Sequence, residues 1–300
     1  MAATPRSEIY YAARLAVPGE VEEDAVAAFW GVGSLGVQVI SATRTSGRPR
    51  VELHAWFPGR LAQAPLERRL ARALDGAGVA PARPLRLRRV RARRWVEVWQ
   101  KTLKPMRIGR RFLVVPEGTA IPPLRGRLPI RVRFGQAFGT GEHATTRMSL
   151  RILEASLKAR DRVIDLGTGS GILSVAALRL GAADVVAIDN DPVALGVARE
   201  TLKDNGVDRG VTLRLGDAGR LLARGRYDFA LVNIGVVTIR RLLPQIAAAL
   251  NPGGRAVLTG LLVEDGAAVV RQGRLLGLHQ TALRRSGPWI ALLLERPAAP

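Results

Sequence analysis

The stretch Val163-Ile-Asp-Leu-Gly-Thr-Gly-Ser-Gly-Ile172 decides the fold of this 300-residue chain. An apolar strand leads into an acid, Asp165, then into glycines at 167, 169 and 171. A helix-like run follows from Ile172 to Leu180. A second apolar strand, Val185-Val-Ala-Ile188, ends in Asp189-Asn-Asp-Pro192. The pattern predicts a β-α-β unit that binds a nucleoside. Glycine permits positive φ and lets the backbone approach a ligand. An acid at the end of the second strand is placed to accept ribose hydroxyls. A lone glycine-rich loop is weak evidence, because plain turn chemistry also produces one. Here a preceding strand, a following helix, a second strand and an acid 22 residues after Gly167 coincide, which is the context that makes such a motif informative.

The loop also chooses between nucleosides. Dinucleotide sites read G-x-G-x-x-G and hold a pyrophosphate over the helix N-terminus. This loop reads G-x-G-x-G, and Asp165 stands two residues before its first glycine. A carboxylate there would repel a pyrophosphate. It suits a cationic ligand such as the amino or sulfonium part of S-adenosylmethionine. The pattern resembles the class I methyltransferases: an acid opening the loop, Asp189 after strand two, and a later Gly216-Asp217-Ala218 whose acid or neighbours face the adenine in that family. Asn251-Pro-Gly-Gly254 before Arg255-Ala-Val-Leu-Thr259 is similar to the family's turn into a late core strand.

Length and composition bound the rest. Three hundred residues can bury a sizeable core and suggest two domains. At 47% hydrophobic, with periodic segments throughout, the chain is globular. Nothing is long and apolar enough to predict a membrane span, and the first residues have no apolar signal core, so a cytoplasmic protein is expected. Cysteine is absent, which excludes disulfides, thiolate metal sites and cysteine nucleophiles. Three histidines without ligand spacing predict no catalytic metal. The net charge of +21 predicts non-specific attraction to RNA at low salt. Only Lys101, Lys104, Lys158 and Lys203 are lysines. Arginine supplies all the other basic residues, as coding bias toward arginine, alanine and glycine would produce.

The chain organises into three stretches. Residues 1–93 read as strand, helix, two strands, helix, strand. That β-α-β-β-α-β order is the ferredoxin-like split and predicts an α+β interaction domain. Seven arginines lie between Arg83 and Arg94. They are either the solvated face of an edge strand, which blocks aggregation, or a contact for a ribosomal or RNA partner. Residues 94–118 read as a linker that begins with a helix, with Trp95 and Trp99 four apart on one face. Residues 119–300 alternate strands and helices as a Rossmann-like doubly wound parallel sheet. The chain's end is predicted as a hairpin about Ser286-Gly-Pro288. The fold class is therefore α/β, with an N-terminal ferredoxin-like α+β domain.

A narrower resemblance comes from Phe134-Gly-Gln-Ala-Phe-Gly-Thr-Gly-Glu-His-Ala-Thr-Thr146. It is similar to the F-G-T-G-x-H-x-T-T segment of the methyltransferases of ribosomal protein L-eleven, the PrmA type. Trp99-Gln-Lys-Thr-Leu-Lys-Pro-Met-Arg-Ile-Gly-Arg-Arg-Phe-Leu-Val-Val-Pro116 resembles that family's connector. Asp228 to Ile234 resembles its strand-four ending, and Thr259-Gly-Leu-Leu-Val-Glu264 its S-G-I-L-x-E. The resemblance covers nearly the whole chain. It implies N-methylation of lysine side-chain or N-terminal amines of ribosomal protein L-eleven, held by the N-terminal domain, with S-adenosylmethionine as cofactor. The chain departs from the pattern at Glu142, Ala144, Thr168 and the Gly235-Val-Val-Thr-Ile239 segment. Methylation of another protein, or of RNA, by the same fold is the alternative.

The resemblance places cofactor contacts at Thr146, Gly167, Asp189 and Asn233. With the loop reading, the cofactor-binding set is Thr146, Asp165, Gly167, Gly169, Gly171, Asp189, Asp217 and Asn233. Thr146 is expected just before a helix over 147–157, as its cap. Asn233 ends strand four, where substrate meets cofactor in such sheets. Its oxygen could accept hydrogens from the reacting amine. Glu142 and His143 are candidates for proton relay or orientation, and His143 could equally order its loop. Base-methylating enzymes carry an aromatic platform after this strand to stack a flipped base. Here the sequence is Asn233-Ile-Gly-Val236, which argues against exocyclic amino targets.

Overall fold

The computed structural model describes residues 9–18, 21–34, 36–45, 48–59, 62–79, 85–91, 104–133, 141–222 and 225–298. The expected helix at 94–101 with Trp95 and Trp99, part of the arginine-rich 83–94 segment, and residues 134–140 of the F-G-T-G stretch lie outside the described residues. The chain divides into two compact units, 1–102 and 103–300.

The first unit runs β1 (Ile9–Pro18), α1 (Glu22–Gly31), β2 (Gly36–Thr45), β3 (Arg48–Pro58), α2 (Gln63–Gly76) and β4 (Leu87–Arg91). Its sheet order is β2-β3-β1-β4, and every pairing is antiparallel. Alternation along β1 buries Tyr11, Ala13, Leu15 and Val17 and exposes Arg14 and Ala16, as a half-buried strand requires. Leu66, Leu70 and Leu74 of α2, spaced four apart on one helical face, are buried in the same core. Phe29 and Phe57 meet edge to face at 6.1 Å within it. Strand β4 lies at the sheet's edge, with Arg86, Arg88 and Arg89 exposed.

The second unit opens with a three-stranded sheet that the sequence reading missed: β5 (Met106–Ile108), β6 (Phe112–Pro116) and β7 (Leu128–Val132). The 94–118 stretch is therefore not a linker throughout. Its second half is two hydrogen-bonded strands of the larger unit. Phe112, Leu113, Val114 and Val115 are all buried, and burial on both faces hides the alternation that would have marked a strand.

There follow α3 (Ala144–Ser156), β8 (Arg162–Leu166), α4 (Ile172–Arg179), β9 (Asp184–Asp189), α5 (Pro192–Asp204) and β10 (Val211–Leu215). Then come α6 (Ala218–Leu222), β11 (Tyr227–Asn233), α7 (Val236–Ala249), β12 (Leu250–Leu262), α8 (Gly266–Leu275), β13 (His279–Ser286) and β14 (Trp289–Glu295). The main sheet has the order β10-β9-β8-β11-β12-β14-β13. Strands β8 to β12 are parallel, while β14 runs antiparallel to both β12 and β13. The winding reverses between β8 and β11, and ligands bind beyond the strand ends at such a switch point. Strands β8 and β11 are nearly continuous apolar runs because helices cover both faces.

One local expectation changes. Asn251-Pro-Gly-Gly254 is not a turn ahead of a strand. It lies within β12, where the register jumps between Tyr227↔Leu250 and Phe229↔Arg255. The 235–239 segment, where the chain departs from the family pattern, is the N-terminal end of a helix: Gly235 is the N-cap of α7, which begins at Val236.

Candidate functional site

The switch point brings together the ends of β8, β9 and β11 with the N-terminus of α3. After β8, Gly167 turns with φ +70°, and its amide and that of Thr168 both donate to Ile188 O at 2.9 and 3.0 Å. A Cβ at Gly167 would collide with Cγ2 of Ile234, just beyond β11. Gly171, at φ +81°, is the N-cap of α4, and a Cβ there would press on the backbone of Ala198 at 3.3 Å. Glycine at 167 and 171 thus lets the loop pass between the β11 and α5 segments. Gly169 also has positive φ, at 54°.

Asp165 lies beneath this loop. It is 1% exposed, and its Oδ2 accepts from Thr168 Oγ1 at 2.8 Å and Ser174 Oγ at 2.7 Å. Its Oδ1 is buried without a hydrogen-bond partner among the described residues. Burial pushes its carboxyl up to about 6, against the two hydroxyls, which favour the ionised form. Asp189 sits at the rim. Its Oδ2 accepts from Gly169 N at 2.9 Å, and its Oδ1 from Asp191 N at 3.0 Å. Asp189 therefore shapes the glycine loop and keeps further lone pairs. Asp191 caps α5 through Val193 N at 2.8 Å, with Pro192 as the first helical residue.

Asp217 follows β10, where Gly216 N donates to Asp189 O at 3.0 Å. Its exposed carboxylate accepts from Arg220 N at 3.1 Å and lies 3.9 Å from Arg241. The residue is in the expected neighbourhood, beside the end of β9, but its oxygens serve α6 and an arginine.

The start of α3 corrects one assignment. Thr146 does not cap the helix. The helix begins at Ala144, and His143 is the N-cap: its Nδ1 accepts from Thr145 N at 3.3 Å and lies 2.7 Å from Thr145 Oγ1. Hydroxyl side chains are the commoner caps, but an imidazole nitrogen does the same work here. The cap contact with Thr145 N requires Nδ1 to accept, which puts the proton of the neutral ring on Nε2. Burial, aided by Arg147, holds His143 down at about 4, so the ring is neutral at physiological pH. The Trp289 ring stands edge-on to it at 5.0 Å.

Thr146 sits in the first turn, 1% exposed, and Asn233 Nδ2 reaches its Oγ1 at 3.5 Å. That contact joins residues 87 apart and leaves the Asn233 Oδ1 as an acceptor. Glu142 is pushed up to about 7 by burial, with Arg147 opposing.

Of the residues the sequence singled out, the structure gathers Thr146, Asp165, Gly167, Gly169, Gly171, Asp189 and Asn233 at the switch point, with Glu142 and His143 leading into α3. The reading missed Thr145, Ser149, Ser174, Thr259 and Trp289. None carries a sequence signal, because each becomes relevant only through a contact across the fold.

A seven-stranded sheet with one antiparallel strand next to its edge, a glycine loop after its first strand and an acid after its second defines a class I methyltransferase. Comparison with known proteins narrows this. The chain matches the family described as ribosomal protein L11 methyltransferase (PrmA) over residues 14–297, and it belongs to that family. The ribosomal protein L11 methyltransferase of Symbiobacterium thermophilum is 40% identical over 252 residues, covering 82% of this chain and 81% of that one. The protein of the same name from Pelotomaculum thermopropionicum is 38% identical, covering 84% and 80%. Among solved structures, a ribosomal protein L11 methylase from Lactobacillus delbrueckii subsp. bulgaricus superposes with a TM-score of 0.61 at 28% identity. It covers 65% of this chain and all of that one.

Proposed function

We propose that this protein uses S-adenosylmethionine to N-methylate lysine side-chain or N-terminal amines of ribosomal protein L11, in the cytoplasm. The observation that carries the reading is the convergence of Thr146 and Asn233 beside the glycine loop, in a chain that belongs to the L11 methyltransferase family. No described helix is long and apolar enough to cross a membrane, in keeping with that location.

The site's own features fit the cofactor. The glycine loop has no Cβ at 167, where one would collide with Ile234. Asp165, with one buried oxygen unpartnered, puts negative charge beneath a loop that would face a cationic amino acid. Asp189 would hold ribose hydroxyls with its remaining lone pairs. Thr146, among the amides of the first turn of α3, would hold a carboxylate. S-adenosylmethionine supplies, when bound, a methyl group open to in-line displacement by a neutral amine.

The chain's residues prepare that amine. A lysine has an ordinary pKa near 10.4, so it must shed a proton to attack. Transfer from water into a confined site favours the neutral form. With Nδ2 turned to Thr146, the Asn233 Oδ1 would accept an amine hydrogen and aim the lone pair. Glu142, held at about 7, can hold a proton near neutral pH. His143 is fixed as a neutral helix cap and orders the loop that carries Glu142. The small unit, proposed to extend over residues 1–93, would receive the protein substrate.

The test incubates the protein with tritiated S-adenosylmethionine and, separately, purified L11, total ribosomal protein and ribosomal RNA. Label is expected in L11. Label confined to another protein or to RNA would overturn the substrate assignment.

A further inference from the structure

Four hydroxyl-bearing residues are buried where α3 crosses the ends of β11 and β12. Thr145, Thr146 and Ser149 are each 1% exposed and Thr259 is fully buried. Hydroxyls in such a place cost free energy unless they are paired. Here each has a partner: the Thr145 hydroxyl contacts His143, the Thr146 hydroxyl Asn233, and the Ser149 and Thr259 hydroxyls each other. Ser149 Oγ lies 2.8 Å from Thr259 Oγ1 and donates to Thr145 O at 3.0 Å. Thr259 Oγ1 lies 3.5 Å from Val232 O. Val232 precedes Asn233, and Thr259 is the register partner of Asn233 across the strands. On the helix, Thr146 and Ser149 are three apart and so share a face. Two contacts therefore run side by side between α3 and the sheet: Thr146 with Asn233, and Ser149 with Thr259.

The two contacts differ in kind. The Thr146–Asn233 contact is long, at 3.5 Å, and only partly buried, whereas the Ser149–Thr259 contact is short and sealed. An apolar pair at 149 and 259 would also pack α3 on the sheet, but it would not fix one separation. Hydrogen bonds specify distance and direction where apolar packing tolerates sliding.

We propose that Ser149 and Thr259 are positioning residues that set the separation of Thr146 from Asn233, and so align the cofactor's end of the site with the amine's. The proposal rests on the methyltransferase reading above. Both hydroxyls are engaged within the protein, with each other and with the Thr145 and Val232 carbonyls. Their effect passes through the helix and the two strands. Misplacement of reacting groups by a fraction of an ångström to an ångström lowers turnover steeply, whereas binding contacts spread over a whole cofactor change little.

The experiment uses the full chain carrying Thr259→Val, Ser149→Ala, both together, and Thr259→Ser, which keeps the hydroxyl. Removing both partners of a buried hydrogen bond in favour of similar shapes is close to neutral for stability, so the thermal midpoint of the double variant should stay near wild type. For Thr259→Val and the double variant, kcat with L11 should fall by about tenfold while KM for L11 changes by less than about threefold. Thr259→Ser should retain most of the wild-type kcat. A crystal structure of the double variant should show Asn233 Nδ2 beyond hydrogen-bond reach of Thr146 Oγ1. Wild-type kcat in the folded double variant, or equal losses in Thr259→Ser and Thr259→Val, would overturn the proposal. If the double variant does not fold, Thr259→Val against Thr259→Ser decides. If wild type itself fails to label L11, the functional reading falls, and the crystallographic separation still decides whether the two hydroxyls set the geometry.

Discussion

The two edges of the main sheet are built from similar residues and used oppositely. At the edge where the parallel strands begin, charge is paired. Arg255 bonds Asp161 at 2.8 Å with both side chains buried, donates to Ser156 O at the end of α3, and lies 5.3 Å from the Phe229 ring centroid. Arg162 pairs with Asp184 at 3.2 Å, and Asp228 accepts from Arg162 N and Asn251 Nδ2. At the edge where those strands end, Asp165 and Asp189 accept hydrogen bonds from hydroxyls and main-chain amides. Among the described residues no arginine or lysine pairs with either. Supply is not the reason, since the chain has 46 basic residues. Charge at the first edge is consumed in joining helix to sheet, while at the second it stands beside a glycine loop and has no basic partner among the described residues.

Arg255→Ala leaves the Asp161 carboxylate buried and unpaired, and the unfolding free energy measured in denaturant should drop by about 3–5 kcal/mol. Cofactor affinity of the protein that remains folded should be unchanged. A loss below 1 kcal/mol would mean that this edge is not held by charge.

The next largest effect concerns Asp165. Its rise from an ordinary 3.8 to about 6 corresponds to about 3 kcal/mol. The folded state binds the proton more tightly than the unfolded state does. Stability from this group is therefore highest at low pH, falls as pH rises from about 4 to about 6, and is flat above that. Asp165→Asn keeps an acceptor for Thr168 and Ser174 and does not titrate. Its stability relative to wild type should climb by about 3 kcal/mol across that window. A constant difference would show that Asp165 behaves as an exposed acid.

Asp189→Ala should weaken S-adenosylhomocysteine binding by about 100-fold in calorimetry, the loss of hydrogen bonds to a charged acceptor, while the chain stays folded. Unchanged affinity would remove the ribose assignment. The smallest effect sharpens the contrast from within the paired edge. Arg162 and Asp184 are about half exposed, and Arg162→Gln should alter stability by less than about 0.5 kcal/mol. A large loss there would mean that exposure is a poor guide to which pairs matter.

Legibility in the sequence followed the same division. The glycine loop, Asp189, Asn233 and the order of strands around them were readable, because each rests on local chemistry: positive φ at 167, 169 and 171, an acid closing a strand, apolar runs of strand length. The β5–β6 pair reads as linker in the sequence, because β5 is three residues long and full burial of β6 erases its alternation. The N-cap of α3 was assigned to Thr146 when His143 provides it, because cap preference ranks residue types and cannot see which nitrogen points at the helix.

The class of fold, the glycine loop and the acids that flank it are legible along the chain alone, since φ preference and hydrophobic period are properties of neighbouring residues. Only the tertiary structure decided that Asp165 lies under the loop while Asp189 borders it, that Thr146 meets Asn233, and that Ser149 and Thr259 lock the helix beside them. Those contacts join positions from 9 to 110 residues apart. Burial and hydrogen bonding between such positions exist only once helix and sheet have packed.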